Sequence, residues 1–284
     1  MSAVGFVGLG HIGAPMARTL LDWPDGLVVH DLRPEVVAEF VDRGARAATT
    51  PAEVARHAEV ISVMVRDDAQ VEEVVCGPEG LLAGAAEGTV LAIHSTIDET
   101  TAPRLAELAE MREVAVVDAP VSGGPMGADQ GNLAVMVGGA EEAFSRCAAV
   151  FEHWAGRVVH TGEVGSGTRC KLARNLLHFV SFAATAEAQR LAEAAGVDLR
   201  ELGEIVRHTD AITGGPGAIM LRTDTAQLSA SDDWYPIFSN VRDLGEKDLA
   251  LALRLGERLG VELPLAGRAL RDLAAELGVA REAT

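Results

Sequence analysis

The sequence predicts an α/β domain built on a mostly parallel sheet, followed by an all-helical domain, and three observations carry that expectation. Between Ala3 and about His160, short apolar runs alternate with helical patterns, as in βα units around a parallel sheet. After Thr161-Gly162 the strand signals stop and only helical patterns follow. From Ser166 to Ala195 the chain is rich in Ala and Leu and nearly free of breakers, which reads as one spine helix of about 30 residues. The division is expected after Gly162, with 1–162 forming the α/β domain and 163–284 the helical domain.

Taken in order, the expected strands are Val4 to Val7, Leu27 to His30, Val60 to Met64, Val90 to Ile93 and Ala115 to Asp118. Each is a short apolar run of the kind that a sheet covered on both faces requires. Leu133 to Val137 and Arg157 to His160 extend the same sheet. Amphipathic segments at Ile12 to Leu21, Asp98 to Met111 and Glu141 to Phe151 are the intervening helices. Beyond the spine, helices are expected at Leu199 to His208, Val241 to Leu259 and Leu263 to Leu277. The stretch from Thr213 to Phe238, with Gly-Gly-Pro-Gly and Ser-Asp-Asp-Trp, reads as loop-rich.

Composition bounds the partners. With 24 Lys and Arg against 42 Asp and Glu, the net charge of −18 opposes non-specific attraction to nucleic acid or an anionic membrane, so neither is an expected partner. An anionic ligand must be held by local groups. The three cysteines, Cys76, Cys147 and Cys170, lack close pairing, so neither a disulfide framework nor a metal site is expected. The start of the chain lacks the basic and long apolar regions of a signal peptide, and no apolar run reaches spanning length. A cytoplasmic protein is expected.

Gly8-Leu-Gly10-His11-Ile12-Gly13 follows the first strand and opens the first helix, the context in which Gly-x-Gly-x-x-Gly binds a dinucleotide. Gly8 permits the tight turn, Gly10 lets a pyrophosphate approach the backbone, and Gly13 lets helix and strand pack closely. Helix-start N–H groups then hold the phosphates without a lysine. His11 and Ile12 belong to the same cofactor-binding stretch; His11 faces solvent or the cofactor's edge and receives no chemistry. This points to 1–162 as a dinucleotide-binding domain. Asp31, about 20 residues past the glycines, is placed to accept the adenosine ribose hydroxyls, and its charge repels a 2′-phosphate. NAD is therefore preferred. NADP stays open, because Arg33 would grip that phosphate if Asp31 swung away. Val65, after the Val60 to Met64 run, is placed near the adenine or ribose, and Thr96 is placed to donate a hydroxyl near the nicotinamide.

Two further segments point to a substrate. In Asp118-Ala-Pro-Val-Ser122-Gly123-Gly124, a Ser-Gly-Gly turn presents a hydroxyl and backbone N–H groups to an anion such as a carboxylate. In Gly165-Ser-Gly167-Thr-Arg-Cys-Lys171-Leu-Ala-Arg-Asn175, Lys171 and Asn175 lie one helical turn apart on one face. That pairing suits proton transfer with a bound alcohol or carbonyl; by itself it reads more readily as a solvated helix start.

The ordered motifs, closing with Lys247-Asp248-Leu249, together resemble the β-hydroxyacid dehydrogenase family, typified by 3-hydroxyisobutyrate dehydrogenase and tartronate semialdehyde reductase. The resemblance runs over nearly the whole chain. It implies a Rossmann domain, then an all-helical domain for substrate binding and oligomerisation, and an active site in the cleft between them. It also implies hydride transfer between NAD(P) and a small 3-hydroxy acid or its semialdehyde. By position, Ser122, Gly123 and Gly124 would bind the substrate carboxylate, Lys171 would be the general acid/base, and Asn175 would hold the substrate oxygen. Lys247 would reach the nicotinamide end of the cofactor, and Asp248 would have a structural or orienting role. Relatives are usually homodimers or homotetramers.

The chain departs from that pattern at Arg174, where many relatives carry Asn-Asn. Arg174 lies about 60° from Lys171 around the helix, Asn175 about 40° on the other side, and His178 about 20° away. Arg174 and His178 either receive an additional polar or anionic substrate group, or they are an interface ion pair and a satisfied core histidine. The run from Trp234 to Lys247 also exceeds the usual aromatic-to-lysine spacing, so Trp234, Tyr235 and Phe238 are expected to pack a core rather than line a pocket. Two other readings stand beside the dehydrogenase. Imine reduction on the same fold usually replaces the lysine by Asp or Tyr, and a non-catalytic NAD(P)-binding sensor would not need Lys171, Asn175 and the Ser-Gly-Gly turn. The 6-phosphogluconate dehydrogenases require a longer helical region than this chain has.

Overall fold

A computed structural model of the chain describes residues 2–280 and divides into two compact units, Met1–Arg174 and Asn175–Thr284. In the first unit, the strands are β1 (Val4–Val7), β2 (Leu27–His30), β3 (Arg46–Ala47), β4 (Val60–Val63), β5 (Val90–Ile93) and β6 (Ala115–Asp118). Between them run α1 (Gly13–Arg18), α2 (Pro34–Val41), α3 (Pro51–Ala55), α4 (Asp68–Cys76), α5 (Leu81–Gly84) and α6 (Thr101–Glu110). The chain continues through β7 (Val121–Ser122), α7 (Gly124–Asp129), β8 (Leu133–Gly138), α8 (Glu141–Phe151) and β9 (Ala155–Gly162).

Strands β3-β2-β1-β4-β5-β6 lie side by side in that order, and their pairings are parallel. This is the doubly wound order, in which the chain reverses direction across the sheet between β1 and β4. β8 pairs antiparallel with β6 and β7, and β9 runs parallel to β8. Alternation along each strand sends residues to opposite faces. Phe6, Val29 and Val117 join a core with Met16, Phe40 and Trp154, while Val7, Ile61 and Ile93 join another with Val54 and Leu105. Removing a side chain such as Phe6, with no exposed surface, would cost about 3–5 kcal/mol.

The second unit is helical. Helix α9 (Ser166–Ala194) runs through the division and is followed by α10 (Leu199–Thr213), a short 3-10 turn at Gly215–Gly217, α11 (Tyr235–Leu259) and α12 (Pro264–Glu276). Asp198 starts α10 by accepting the N–H groups of Arg200 (2.7 Å) and Glu201 (3.2 Å), and Gly214 ends it in a left-handed conformation at φ +89°. The buried carboxylate of Glu187 on α9 accepts the N–H groups of Leu265 (2.8 Å) and Ala266 (3.2 Å), so it caps α12 from a neighbouring helix. Phe238 packs with Leu228, Leu277 and Val279, and Trp234 and Tyr235 lean on this cluster. The aromatics at the start of α11 thus serve packing. Helix α11 starts at Tyr235 rather than Val241, with Pro236 in its first turn, where a missing N–H costs nothing. Among the described residues, no helix is long and apolar enough to cross a membrane.

Candidate active site

Because β1 to β6 are parallel, the segments leaving their C-terminal ends gather on one edge of the sheet, where α/β proteins of this order bind ligands. The glycine loop leaves β1. Gly8 has φ +94°, and a Cβ there would lie 2.3 Å from the Met64 carbonyl oxygen. A Cβ on Gly13 would stand 2.0 Å from the Gly8 oxygen, so this glycine lets α1 start hard against the strand. A Cβ on Gly10 would meet no atom within 4 Å. Gly10 therefore borders open space, and the start of α1 has no side-chain cap, which suits a phosphate approaching the backbone. The loop fits a dinucleotide. His11 is exposed and Ile12 half-buried at the helix start.

Asp31 follows β2 and turns back onto this loop. Its Oδ2 accepts the Leu9 N–H at 2.7 Å. Arg33 closes over the same carboxylate, donating from Nε to Oδ1 at 2.9 Å and from Nη2 to Oδ2 at 3.1 Å, while Nη2 also donates to the Leu9 carbonyl at 3.1 Å. Burial pushes the Asp31 carboxyl up, but the hydrogen bonds from Arg33 and Leu9 and the Arg33 charge outweigh it and hold it below the usual range. Asp31 and Arg33 thus form a single hydrogen-bonded unit beside the glycine loop.

Val65, after β4, is held through its backbone: its N–H donates to the Ser95 hydroxyl at 3.1 Å, and that hydroxyl donates to its carbonyl at 2.7 Å. Ser95 is the sorting residue here, buried and turned inward, while Thr96 beside it is exposed at the same sheet edge. Beneath them His94 is fully buried, with its ring nitrogens against the Ala119 carbonyl (2.7 Å) and the Ser62 hydroxyl (3.0 Å). Desolvation pushes this imidazole down to about 4, so it is a neutral packing group.

The segment after β6 leads into the Ser122-Gly123-Gly124 turn. Gly123 has φ +134° and Gly124 φ +64°, conformations that strain any other residue, so the turn after Ser122 depends on both glycines. Ser122 pairs with Ala134 in the sheet and is half-buried. Just upstream, the buried carboxylate of Asp118 accepts the Gly165 N–H through Oδ1 and the Thr168 N–H through Oδ2, each at 2.6 Å. It anchors the start of α9. Close packing requires Gly167, whose Cβ would lie 2.3 Å from the Met136 oxygen. One turn later Lys171, only 7 % exposed, donates from Nζ to the Val121 carbonyl at 2.6 Å. Lys171 and the Ser122-Gly123-Gly124 turn, 47 or more residues apart in the chain, are thereby brought together.

Burial lowers the Lys171 amine from its ordinary 10.5 to about 8, and the charge of Arg174 adds to the effect. A buried lysine with a lowered pKa beside a two-glycine turn marks a candidate proton-transfer group. Asn175 follows one turn later on α9 and is half-buried; His178 is half-buried too, its ring 4.3 Å from that of Phe182. Lys247 is placed on α11 in the second unit, exposed, with Nζ 3.3 Å from Asp248. Two positioning residues, Asp118 and Ser95, had no assigned role from sequence. The signal for Asp118 was present: it is an acid closing the otherwise apolar run Ala115-Val-Val-Asp118.

Comparison with known proteins accounts for both units. The pattern of the NAD binding domain of 6-phosphogluconate dehydrogenase matches residues 3–162, and that described as NAD-binding of NADP-dependent 3-hydroxyisobutyrate dehydrogenase matches residues 165–281. An uncharacterized oxidoreductase of Mycobacterium tuberculosis is 55% identical over 97% of this chain and 93% of its own. The 3-hydroxyisobutyrate dehydrogenase of Pseudomonas aeruginosa is 36% identical over 96% of this chain and 91% of its own. The crystal structure of an oxidoreductase from Mycobacterium avium superposes with a TM-score of 0.94 at 51% identity, covering 99% of this chain and 100% of that one. With a doubly wound NAD(P)-binding unit, a helical second unit and these relatives, the chain belongs to the family of the 6-phosphogluconate and 3-hydroxyisobutyrate dehydrogenases.

Proposed function

We propose that the protein is an NAD-preferring dehydrogenase that interconverts a small 3-hydroxy acid and its semialdehyde, with Lys171 as general acid/base. The observation that carries this reading is the Lys171 amine: buried, lowered to about 8, and hydrogen-bonded to Val121 next to the Ser122-Gly123-Gly124 turn. The turn's hydroxyl and N–H groups receive the substrate carboxylate, fixing the molecule so that its hydroxyl meets Nζ. In oxidation the neutral amine accepts the hydroxyl proton; in reduction the ammonium returns it to the carbonyl oxygen. Asn175 holds the same oxygen. A dinucleotide held at its pyrophosphate by the Gly8–Gly13 loop would supply the hydride acceptor or donor through its nicotinamide. Asp31 takes the ribose hydroxyls, Val65 and Thr96 flank the cofactor, and Lys247 serves its nicotinamide end.

The division of labour follows: 1–162 binds the dinucleotide, and 163–284 completes the substrate site and mediates assembly. Helix α10 buries none of its residues and exposes Ile205, Val206 and Ile212, while α9 exposes Leu176, Phe179 and Phe182. Helices this apolar on their outer faces support a homodimer or homotetramer. The test is a panel of 3-hydroxy acids, semialdehydes and cyclic imines, followed by the absorbance of reduced nicotinamide. Turnover of the hydroxy acids or semialdehydes is expected. Activity confined to imines would replace this reading by imine reduction, and cofactor binding without turnover would replace it by a sensor.

A further inference from the structure

Asp31 has no acceptor left for a ligand while the Arg33 side chain stays where it is. A carboxylate offers about four lone-pair positions, shared between its two oxygens. Oδ1 accepts the Arg33 backbone N–H at 3.0 Å and Arg33 Nε at 2.9 Å; Oδ2 accepts the Leu9 N–H at 2.7 Å and Arg33 Nη2 at 3.1 Å. Two of these donors are backbone groups and stay whatever the side chain does. The other two come from the guanidinium, one to each oxygen, and these are the positions that the adjacent hydroxyls of a ribose need. The same Nη2 donates to the carbonyl of Leu9, between Gly8 and Gly10, so the guanidinium is tied to the glycine loop as well.

Burial decides which partner moves. The Asp31 side chain is 9 % exposed and holds the loop through Leu9, whereas that of Arg33 is 51 % exposed. Turning the guanidinium into water breaks a half-exposed ion pair, which costs little. Helix α2 does not depend on that side chain: Arg33 is its N-cap residue but makes no side-chain cap bond, and Pro34 follows in the first turn.

We infer that Arg33 is a latch on the ribose site: its guanidinium occupies the two Asp31 acceptors that the adenosine ribose of the dinucleotide takes, and the cofactor binds by displacing it. The inference rests on the reading of Asp31 as the ribose acceptor given above. The exchange conserves hydrogen bonds at the carboxylate, two N–H donors leaving and two hydroxyls arriving. It lowers affinity all the same, because only the molecules with the latch open accept the ribose, and the apparent Kd is the intrinsic one divided by the open fraction. A latch closed in about nine molecules of ten weakens NAD by about tenfold. Arg33 thereby limits cofactor affinity without belonging to the bound site.

The test is NAD binding by calorimetry to the native chain, to Arg33→Ala, to Arg33→Lys, and to Arg33→Ala combined with Asp31→Asn. Arg33→Ala is expected to bind NAD about three- to tenfold more tightly than the native chain, and Arg33→Lys, a point charge without the fork, to gain less. Adding Asp31→Asn to Arg33→Ala is expected to weaken NAD by about tenfold relative to Arg33→Ala alone. Unchanged or weaker binding in Arg33→Ala, with Asp31→Asn still costing affinity, would overturn the latch and leave Asp31 as the ribose acceptor. An Asp31→Asn substitution without effect in the Arg33→Ala background would overturn the reading of Asp31, and the latch with it. Each arm measures binding alone, so the outcome is independent of the role of Lys171.

Discussion

The Lys171 amine donates to the Val121 carbonyl at 2.6 Å, joining the first turns of helix α9 to the strand that leads into the Ser122-Gly123-Gly124 turn, across 50 residues of chain. Asp118, three residues before Val121, holds the start of the same helix through two N–H groups. Together these contacts fix the Lys171 nitrogen in place, which is what the proposed proton transfer requires of it.

The glycine loop separates a folding role from a binding role. Gly8→Ala places a methyl 2.3 Å from the Met64 oxygen at a positive φ, so thermal denaturation should show a destabilised protein. Gly10→Ala meets no atom within 4 Å and should fold normally. Its NAD affinity, read by calorimetry, should fall by about tenfold or more, because the methyl occupies the phosphate's approach. Native affinity in Gly10→Ala would place the pyrophosphate elsewhere.

Cofactor preference should follow the Asp31–Arg33 pair. Asp31→Ala removes the ribose acceptor and frees the guanidinium, so the NADP-to-NAD affinity ratio should rise by about tenfold or more. Arg33→Ala should lower the same ratio. Movement of both variants in one direction would show that the pair does not select the nucleotide.

The pH dependence follows from the lowered lysine. Its ordinary value is 10.5; burial brings it to about 8 in the free protein, so the neutral amine becomes abundant above about 8. Oxidative kcat/KM, which needs the neutral form, should rise as pH increases through about 8, and reductive kcat/KM, which needs the ammonium, should fall over the same range. Profiles that are flat there in both directions would remove the amine from the rate equation.

Much of this was legible in the chain. Val4–Val7, Leu27–His30, Val90–Ile93 and Ala115–Asp118 have the expected bounds, because strands covered on both faces are continuous apolar runs between turn residues. The two-residue strands β3 and β7 are too short to carry a period. Pro236 reads as a breaker yet begins a helix, and α10 continues past His208 to Thr213 because its exposed end is stopped only by Gly214. Within the site, the glycines and the Lys171–Asn175 spacing are local and readable. The hydrogen bonds of Asp118 and Lys171 join residues about 50 apart, and helical periodicity contains no information about such partners.

The central claim is that Lys171 transfers the proton. The most direct measurement is steady-state turnover of Lys171→Ala and Lys171→Met on the best 3-hydroxy acid of the panel, with NAD affinity measured on the same preparations. The expected result is a loss on the order of 10²- to 10⁴-fold in kcat with NAD affinity kept within about twofold. Native turnover in either variant would contradict the claim.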